Sequence, residues 1–503
     1  MIDAATAHEA STMRDSHEHA AARLPYRHVH DFLIGGDARP ADGEARTPVV
    51  DPATGVAWGS VPDADGAMVD AAVAAARGAL PGWATTPPSE RASALRRMAD
   101  AVERRAELLA ITNSLENGSP LAETGGAAAN AAGILRVFAD MAWFLERSDV
   151  RVFPNGADET VVARDPIGVC ALIAPWNFPI NLVVIKLAPA LLAGCTVVLK
   201  PAPTTPLSIR FLVEAAAEAG IPAGVVNLVT GGAETGDALV RHPDVDKVAF
   251  TGSTPVGRRI AAICGELLRP VTLELGGKSS AIVLPDADLD AMSRILVRSC
   301  LRNTGQTCYI STRIIATEAN YDAVVEMAAA TVGAARLGDP LDPETVFGPL
   351  ASYAQRDRVR GYVRSGIAEG ARVVSGGDVP APFPEGAFLV PTVFADVRPD
   401  MTIAREEIFG PVLTILRAES VDEAVAIADD TPFGLGGIVF GRDEDAAFDV
   451  ARRIDTGSIG INFFASNHHA PFGGRHDSGL GVEYGIEGLS AYLTPQSVHR
   501  RRR

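Results

Sequence analysis

The segment Asn303-Thr-Gly-Gln-Thr-Cys-Tyr places Cys308 among polar residues, in a turn that is predicted to follow an apolar helix. A cysteine acts as a nucleophile when it is accessible and when nearby donors or positive potential lower the pKa of its thiol. The other four cysteines lie inside apolar patterns that are typical of core positions. Cys308 is therefore the candidate nucleophile, although its context alone fits a small buried side chain equally well.

Two further side chains have the chemistry to assist such a nucleophile. Glu274 lies in the predicted strand Val271-Thr-Leu-Glu, where burial would raise the pKa of its carboxyl group toward the range that suits a general base. Asn177 lies in the loop Ala174-Pro-Trp-Asn-Phe-Pro, which two prolines make rigid, and its amide could donate a hydrogen bond to an oxyanion. Each has a simpler alternative, because Glu274 could face water at a sheet edge and Asn177 could bond its own backbone.

A glycine-containing turn could bind a phosphate group. The segment Phe250-Thr-Gly-Ser-Thr-Pro-Val-Gly-Arg follows a predicted strand and opens a predicted helix. Gly252 and Gly257 would let a phosphate approach the free N–H groups at the helix N-terminus. The segment is not a GxGxxG motif, so alone it is a weak indication of dinucleotide binding.

Three more residues could contact the remainder of a cofactor. Lys200 ends a predicted strand, from which it could reach a ribose hydroxyl or a phosphate; a lysine that extends to solvent is the simpler interpretation. Glu407 and Phe409 precede a Gly-Pro turn. The carboxylate of Glu407 could hold ribose hydroxyls and Phe409 could pack against a flat ring, unless both merely anchor the loop.

The elements that must position these residues alternate between strands and helices. Strands are predicted at 168–174, 196–199, 225–229 and 247–251, with helices between them, and this pattern predicts a parallel sheet. Such sheets bind ligands beyond the carboxyl ends of their strands. A second α/β series spans 280–462, so we predict an α/β fold with two lobes. Upstream of both, residues 67–83 and 90–114 are predicted as two long helices.

Three segments lie outside these lobes. Residues 149–166 contain a Pro-Asn-Gly turn between β-prone runs and predict a hairpin. Residues 483–503 contain a predicted C-terminal strand, and the edges of this strand and of the hairpin could be satisfied by pairing between subunits. Residues 1–25 are polar, and we predict a flexible extension there rather than a metal site built from its three histidines.

Composition excludes several classes of function. The net charge of −17 disfavours nucleic acid as a partner. Five scattered cysteines argue against a disulfide framework, and the absence of a CxxC pair argues against structural zinc; we expect a reducing, cytoplasmic location. The most apolar stretch, 180–199, contains Lys186, so no membrane span is expected.

Together, these segments resemble the aldehyde dehydrogenase superfamily over about residues 30–500. The most specific motifs are PWNFP at 175–179, LELGGKS at 273–279, GQTC at 305–308 and EEIFGPV at 406–412. The spacings also look like those of the family, with 34 residues from Glu274 to Cys308 and 99 from Cys308 to Glu407. The resemblance implies a Rossmann-like cofactor domain at 26–148 and 167–276 and a catalytic domain at 277–482. It also implies that 149–166 and 483–503 form an oligomerisation arm of a homodimer or homotetramer.

The resemblance further implies a mechanism. The Cys308 thiolate attacks an aldehyde carbonyl, and Asn177 and the backbone N–H of Cys308 stabilise the oxyanion. Hydride passes to a nicotinamide, and Glu274 activates water to hydrolyse the resulting thioester to a carboxylic acid. Glu274 favours water over coenzyme A as the acyl acceptor. Lys186 and Glu483 match positions that look like a proton relay behind this base.

The same resemblance assigns cofactor and substrate contacts. The implied contacts to NAD are Ile173, Pro175, Trp176, Lys200, Gly252, Ser253, Gly257, Leu275, Glu407 and Phe409. The implied substrate pocket consists of Phe178, Leu182, Ile185, Thr307, Tyr309 and Phe464. Where many relatives carry a glutamate that would repel a 2′-phosphate, this chain has Pro203, so NADP is an alternative cofactor beside NAD.

The predicted pocket is mostly apolar and lacks an obvious arginine to bind a carboxylate. It therefore favours a medium-sized aliphatic or aromatic aldehyde as the small-molecule partner. A semialdehyde or a betaine-type aldehyde is the alternative substrate. A cofactor-independent thioesterase and a catalytically inactive homologue are the alternative functions.

Overall fold

A computed structural model of the chain describes residues 4–41, 43, 45–378, 383 and 385–502, with side chains from residue 11 onward. Its helices are α1 (Ala4–Ala22), α2 (Gly66–Thr85), α3 (Pro88–Glu103), α4 (Ala106–Asn117), α5 (Leu121–Thr124), α6 (Ala127–Ala139), α7 (Ala142–Glu146), α8 (Pro179–Ala193), α9 (Leu207–Glu218), α10 (Ala233–Arg241), α11 (Thr254–Glu266), α12 (Leu289–Cys300), α13 (Tyr321–Ala334), α14 (Tyr353–Ala368), α15 (Thr402–Arg405), α16 (Val421–Asp429), α17 (Glu444–Ala451) and α18 (Gly485–Ser490). Its strands are β1 (Asp31–Ile34), β2 (Asp37–Pro40), β3 (Arg46–Val50), β4 (Ala57–Pro62), β5 (Asp149–Val152), β6 (Asp158–Pro166), β7 (Val169–Ile173), β8 (Thr196–Lys200), β9 (Val226–Leu228), β10 (Lys247–Thr251), β11 (Val271–Glu274), β12 (Ser280–Val283), β13 (Arg313–Thr317), β14 (Arg372–Ser375), β15 (Thr392–Ala395), β16 (Val412–Ala418), β17 (Phe433–Gly434), β18 (Gly437–Phe440), β19 (Gly460–Ile461), β20 (Arg475–His476), β21 (Gly479–Leu480) and β22 (Leu493–Arg501).

The first lobe is built on an eight-stranded sheet in the order β2-β1-β9-β8-β7-β10-β11-β21. The five strands from β9 to β11 run parallel, as predicted, and the strands at the two ends are antiparallel. Every residue of β7, β8 and β10 is buried, since helices cover both faces. The segment predicted as one helix over 90–114 is two helices, α3 and α4, which break at Arg104 and Arg105.

The second lobe contains a seven-stranded sheet in the order β14-β15-β16-β13-β12-β18-β19. All pairs are parallel except β14 with β15. The α/β fold class predicted from the sequence is therefore confirmed. Strand β21 lies within the segment assigned to the catalytic domain, yet Leu480 pairs with Leu273 of β11. The chain therefore returns to the first sheet before residue 482.

A three-stranded sheet in the order β22-β6-β5 forms a separate arm. The hairpin predicted at 149–166 forms, and Leu493–Arg501 pairs with the whole of its second strand, β6. The assignment of all of 483–503 to this arm is wrong, because Tyr484, Leu489 and Tyr492 belong to the core of the first lobe. Val150, Val152 and Val498 are 44%, 49% and 46% exposed, so the arm presents apolar side chains to its surroundings.

The predicted flexible N-terminal extension is also wrong, because residues 4–22 form α1. His17 is 3% exposed, and its two ring nitrogens contact Asp51 at 2.6 Å and Asp339 at 2.8 Å. Asp51 follows β3 of the N-terminal region, and Asp339 follows α13 of the second lobe. The helix therefore joins two parts of the chain through one imidazolium.

Segment Leu121–Glu146 has the length and apolar composition of a membrane span, and half of its most apolar window is buried inside the protein. It is divided among α5, α6 and α7, and Ile134 and Phe138 lie in the first core. Core helices share this composition, so the segment is weak evidence for a membrane.

We predict that the contact of His17 stabilises the fold in a pH-dependent manner. Burial opposes its charge, but Asp339 and Asp51 outweigh burial and raise the pKa of His17 to about 9. The stability that a raised pKa contributes is complete at pH values below the pKa of the unfolded state, near 6.5. It is lost as the pH rises through the pKa of the folded state. His17→Gln should lower the free energy of unfolding by roughly 3 kcal/mol at pH 6 and by much less at pH 10.

Urea unfolding of both proteins at the two pH values measures this difference. His19→Gln is the matched control, because His19 lies two residues away on the exposed face of the same helix. A loss that is equal at both pH values would contradict the assignment of a charged His17.

Candidate active site

Three neighbouring strands of the first sheet bring candidate residues to one edge. Strands β7, β10 and β11 are adjacent and parallel. The loop after β7 carries Asn177, β10 ends at Thr251 and β11 ends at Glu274. Parallel strands present their carboxyl ends at the same edge, where open α/β sheets bind ligands. The topology thus collects side chains that are far apart in the sequence.

The loop that carries Cys308 follows α12 and has an unusual backbone. Asn303, Thr304 and Gly305 have φ values of 53°, 55° and 74°, which lie in the left-handed region. This conformation is costly for residues with side chains, so surrounding contacts must hold it. A Cβ atom on Gly305 would lie 2.0 Å from the carbonyl oxygen of Gly410. The nucleophile loop therefore packs directly against the turn that follows α15.

Hydrogen bonds connect this loop to the loop that carries Asn177. The side-chain amide of Asn177 donates to the carbonyl of Gln306 at 3.0 Å, and the amide of Asn303 donates to the carbonyl of Asn177 at 3.1 Å. Asn177 is 3% exposed. A side-chain amide has two N–H groups, so one remains to serve an oxygen bound beside Cys308.

Glu274 is buried and unpaired. Neither of its carboxylate oxygens has a hydrogen-bond partner among the described residues, and the residue is 3% exposed. Burial raises the pKa of this carboxyl group well above its usual value; Glu483 raises it further and Lys186 partly offsets the rise. The alternative of a water-facing strand edge is therefore wrong. A carboxyl group with a raised pKa accepts a proton readily near neutral pH.

Lys186 and Glu483 form a buried ion pair behind Glu274. The ammonium group of Lys186 donates to Glu483 Oε1 at 2.5 Å and to Thr251 Oγ1 at 2.6 Å. The side chains of the pair are 0% and 5% exposed. No sequence motif singles out Thr251, because it is one of many buried threonines in apolar strands. Only its place at the end of β10 distinguishes it.

The surroundings of Cys308 oppose the ionisation of its thiol. Burial raises the pKa of its thiol, the carboxylates of Glu407 and Glu274 raise it further, and the backbone N–H groups of Cys308 and Tyr309 lower it. Burial and the two carboxylates therefore make this thiol harder to ionise than a free cysteine. A Cβ atom on Gly277 would lie 2.6 Å from the carbonyl oxygen of Cys308. The turn after Glu274 therefore packs against the nucleophile loop.

Glu407 and Phe409 lie beside this turn. Glu407 accepts a hydrogen bond from the backbone N–H of Gly277 at 3.0 Å. Burial raises the pKa of Glu407. The ring of Phe409 meets Trp176 edge to face at a centroid distance of 5.4 Å. These contacts fix a carboxylate and a flat apolar surface, as a ribose and an aromatic ring require.

The remaining candidate cofactor contacts surround the same edge. Lys200 is 5% exposed and donates to the carbonyl of Pro201 at 3.0 Å, and burial lowers the pKa of its ammonium group to about 8. Ser253 precedes α11 and forms no side-chain cap, so the first N–H groups of this helix suit an anion. Ile173 and Leu275 are buried, and Pro175 and Trp176 are half-buried.

The two glycines of the predicted phosphate turn serve packing. A Cβ atom on Gly252 would lie 2.4 Å from the ring of Phe250, and one on Gly257 would lie 2.4 Å from the side chain of Leu275. Gly257 thus lets α11 approach Leu275 closely. The N-terminus of α11, the carboxylate of Glu407 and the surface of Trp176 fit a dinucleotide in their chemistry.

The candidate pocket residues differ in their exposure. Tyr309 stacks on Phe464 with a centroid distance of 4.9 Å, and Phe178 and Leu182 are half-buried. Ile185 is 4% exposed within the first core. Thr307 is also 4% exposed, and its hydroxyl donates to a carbonyl of its own loop at 3.1 Å. The contribution of these residues to substrate binding stays a prediction.

A charged pair that the sequence patterns did not indicate lies at this pocket. Arg302 donates to Glu123 at 2.8 Å and to the hydroxyl of Tyr309 at 2.6 Å, and its guanidinium lies 5.0 Å from the ring centre of Phe178. The position of Arg302 at the end of an apolar helix, six residues before Cys308, was the available signal. Among the described residues, no group of three or more His, Cys, Asp or Glu side chains is arranged to hold a metal.

Comparisons with known proteins identify the family of the chain. The model of the aldehyde dehydrogenase family matches residues 39–498. A geranial dehydrogenase from Castellaniella defragrans is 49% identical over 475 residues, which cover 94% of this chain and 98% of that protein.

Solved structures also match nearly the whole chain. Aldehyde dehydrogenase C from Pseudomonas syringae, as a variant in complex with NAD+ and octanal, has a TM-score of 0.89 and 41% identity, covering 93% of this chain and 96% of its own. An NADP-dependent enzyme from Escherichia coli has a TM-score of 0.91 and 37% identity, covering 95% and 98%.

We predict that alkylation by iodoacetamide selects Cys308 and is slow near neutral pH. The other four cysteines are buried, and Cys308 is the one partly exposed thiol. Because Glu407 raises its pKa, Glu407→Gln should lower that pKa and increase the alkylation rate several-fold at pH 8. Mass spectrometry of the labelled peptide gives the rate. Glu406→Gln changes an exposed neighbour and should leave the rate unchanged; equal rates in all three proteins would contradict the electrostatic account.

Proposed function

Since the chain belongs to the aldehyde dehydrogenase family, we propose that it oxidises an aldehyde to the carboxylic acid through a covalent intermediate on Cys308. The observation that carries this proposal is the convergence of Cys308, Asn177 and Glu274 at one sheet edge. We assign NAD as the cofactor, with NADP as the alternative. The chain is similar both to an enzyme whose structure contains NAD+ and to an enzyme that depends on NADP.

The first half of the reaction forms a carbon–sulfur bond. The Cys308 thiolate attacks the aldehyde carbon, and the carbonyl oxygen becomes an oxyanion. The free N–H of Asn177 and the backbone N–H of Cys308 stabilise this oxygen, because preorganised donors in a buried site stabilise developing charge strongly. A bound nicotinamide would supply the acceptor for the hydride that leaves the carbon attached to Cys308. A thioester then remains on Cys308.

The second half releases the acid. Glu274 takes a proton from water, the hydroxide attacks the thioester carbon, and the carbon–sulfur bond breaks to release the Cys308 thiolate. Burial suits Glu274 to this role, since it raises the pKa of the carboxyl group. Lys186, Glu483 and Thr251 would carry the proton away from Glu274. Their hydrogen-bonded chain supports this assignment.

The residues that would hold the dinucleotide are those at the strand ends. Glu407 would accept hydrogen bonds from ribose hydroxyls, and the N-terminus of α11 would face the pyrophosphate. The side chains of Trp176 and Phe409 would pack against the flat rings of the dinucleotide. Pro203 supplies no carboxylate to repel a 2′-phosphate, which supports NADP as the alternative.

For the substrate we propose a medium-sized apolar aliphatic or aromatic aldehyde. Aromatic rings dominate the pocket, with Tyr309 stacked on Phe464 and in edge contact with Phe472. One similar protein is named for geranial, and the structure of another contains octanal; both of these aldehydes are apolar. We also propose a homodimer or homotetramer, which the exposed valines of the arm support.

The direct test is the formation of reduced nicotinamide with geranial, octanal, benzaldehyde, betaine aldehyde and succinic semialdehyde, each with NAD and with NADP. We expect the apolar aldehydes to give the highest kcat/KM. Cys308→Ala should lower this rate at least about a thousandfold, because no nucleophile remains, while calorimetry still detects cofactor binding. Substantial activity of Cys308→Ala would refute the covalent mechanism.

We predict that Glu274→Gln slows thioester hydrolysis more than hydride transfer. Rapid mixing should then show a burst of reduced nicotinamide close to one per subunit, followed by a steady-state rate lowered at least about a hundredfold. Glu266→Gln, an exposed change at the end of α11, is the control. Equal slowing of the burst and the steady state would argue against a role for Glu274 as the base.

A further inference from the structure

The wall of the proposed substrate pocket contains an arginine, Arg302, two residues beyond the end of α12. Its guanidinium contacts two predicted pocket residues, since it lies over the ring of Phe178 and donates to the hydroxyl of Tyr309. A guanidinium in such a place is the natural ligand for a substrate carboxylate. Taken alone, Arg302 would favour aldehydes that carry an acid group.

The charge of this arginine is already balanced. Glu123 of α5 accepts a hydrogen bond from Arg302 Nε at 2.8 Å, and the two side chains are 22% and 30% exposed. Glu123 forms no second ion pair among the described residues. Burial opposes the charge of Arg302, but Tyr309 and Glu123 outweigh it and hold the pKa of the guanidinium above its usual value. Arg302 thus stays charged, and its guanidinium stays bonded to Glu123 and Tyr309.

Glu123 also lies at the pocket rather than at a remote surface. It lines a small crevice together with Phe178, and the ring of Phe178 packs against the guanidinium of Arg302. A carboxylate that entered this region would have to displace Glu123 from Arg302 and would meet the repulsion of a second anion. An uncharged aldehyde meets neither cost.

We propose that Glu123 is a specificity-determining residue, which neutralises Arg302 and thereby makes the pocket reject carboxylate-bearing aldehydes in favour of uncharged ones. The inference rests on the proposed function for its reaction and deepens it in the class of substrate. It assigns selectivity to a repulsive element as well as to apolar contacts. It also explains how a charged residue can line a pocket for apolar aldehydes.

The test compares n-alkanals of four to eight carbons with the ω-oxo acids of the same length. In Glu123→Gln, the ratio of kcat/KM for the oxo acid to that for the alkanal should rise at least about tenfold at one chain length, because a charge-assisted hydrogen bond to Arg302 becomes available. The double variant Glu123→Gln/Arg302→Gln should return to the wild-type ratio. Glu107→Gln removes one exposed carboxylate elsewhere and should leave the ratio unchanged.

The variant Arg302→Gln and a measurement of dicarboxylate binding provide two further tests. Arg302→Gln leaves Glu123 unpaired, so this variant should have a lower ratio of kcat/KM for the oxo acid to that for the alkanal than the wild type. Calorimetry with n-alkanedioates needs no turnover, and binding should strengthen at least about tenfold in Glu123→Gln. A ratio unchanged in both single variants, or dicarboxylate binding unchanged in Glu123→Gln, would overturn the proposal.

A different result would refute the proposed function. If the wild-type chain oxidised no aldehyde of either series, the catalytic proposal would fall, and the calorimetry would still decide the role of Glu123.

Discussion

The buried ion pair between Lys186 and Glu483 is the interaction on which the site depends. It joins α8, which follows the Asn177 loop, to the C-terminal segment that returns to the first sheet. Removing one partner from such a pair commonly costs about 3–5 kcal/mol, because an unpaired charge stays buried. Glu274 shares this interior without a hydrogen-bond partner of its own. The pair therefore fixes the electrostatic background against which Glu274 gains and loses its proton.

A second constraint is the number of carboxylates at the nucleophile. Glu407 and Glu274 both act on Cys308, and both raise the pKa of its thiol. Under the proposed function these carboxylates would have different tasks, Glu407 in binding a cofactor ribose and Glu274 in thioester hydrolysis. The two backbone N–H groups at Cys308 and Tyr309 are the compensating donors that the chain itself supplies. Positive charge placed near the sulfur would therefore lower the pKa of this thiol.

The sequence predicted the elements and motifs better than the contacts between them. Strands β7, β8 and β10 were predictable because buried parallel strands are continuous apolar runs. Strand β21 has only two residues and no such run, so its return to the first sheet could not be foreseen. His17 lies in a polar segment, and its partners Asp51 and Asp339 are remote in the sequence. Arg302 and Glu123 likewise show no mutual signal, because an ion pair between distant segments leaves no pattern in either one.

The close packing of glycines around the nucleophile has a mechanical consequence. The turn after Glu274 abuts the carbonyl of Cys308 at Gly277, and the loop of Cys308 abuts the carbonyl of Gly410. Contacts this close leave no slack, since interiors transmit displacement rather than absorb it. A displacement of one of these loops would therefore be passed to the other, so the positions of Cys308, Glu274 and Glu407 are mechanically coupled.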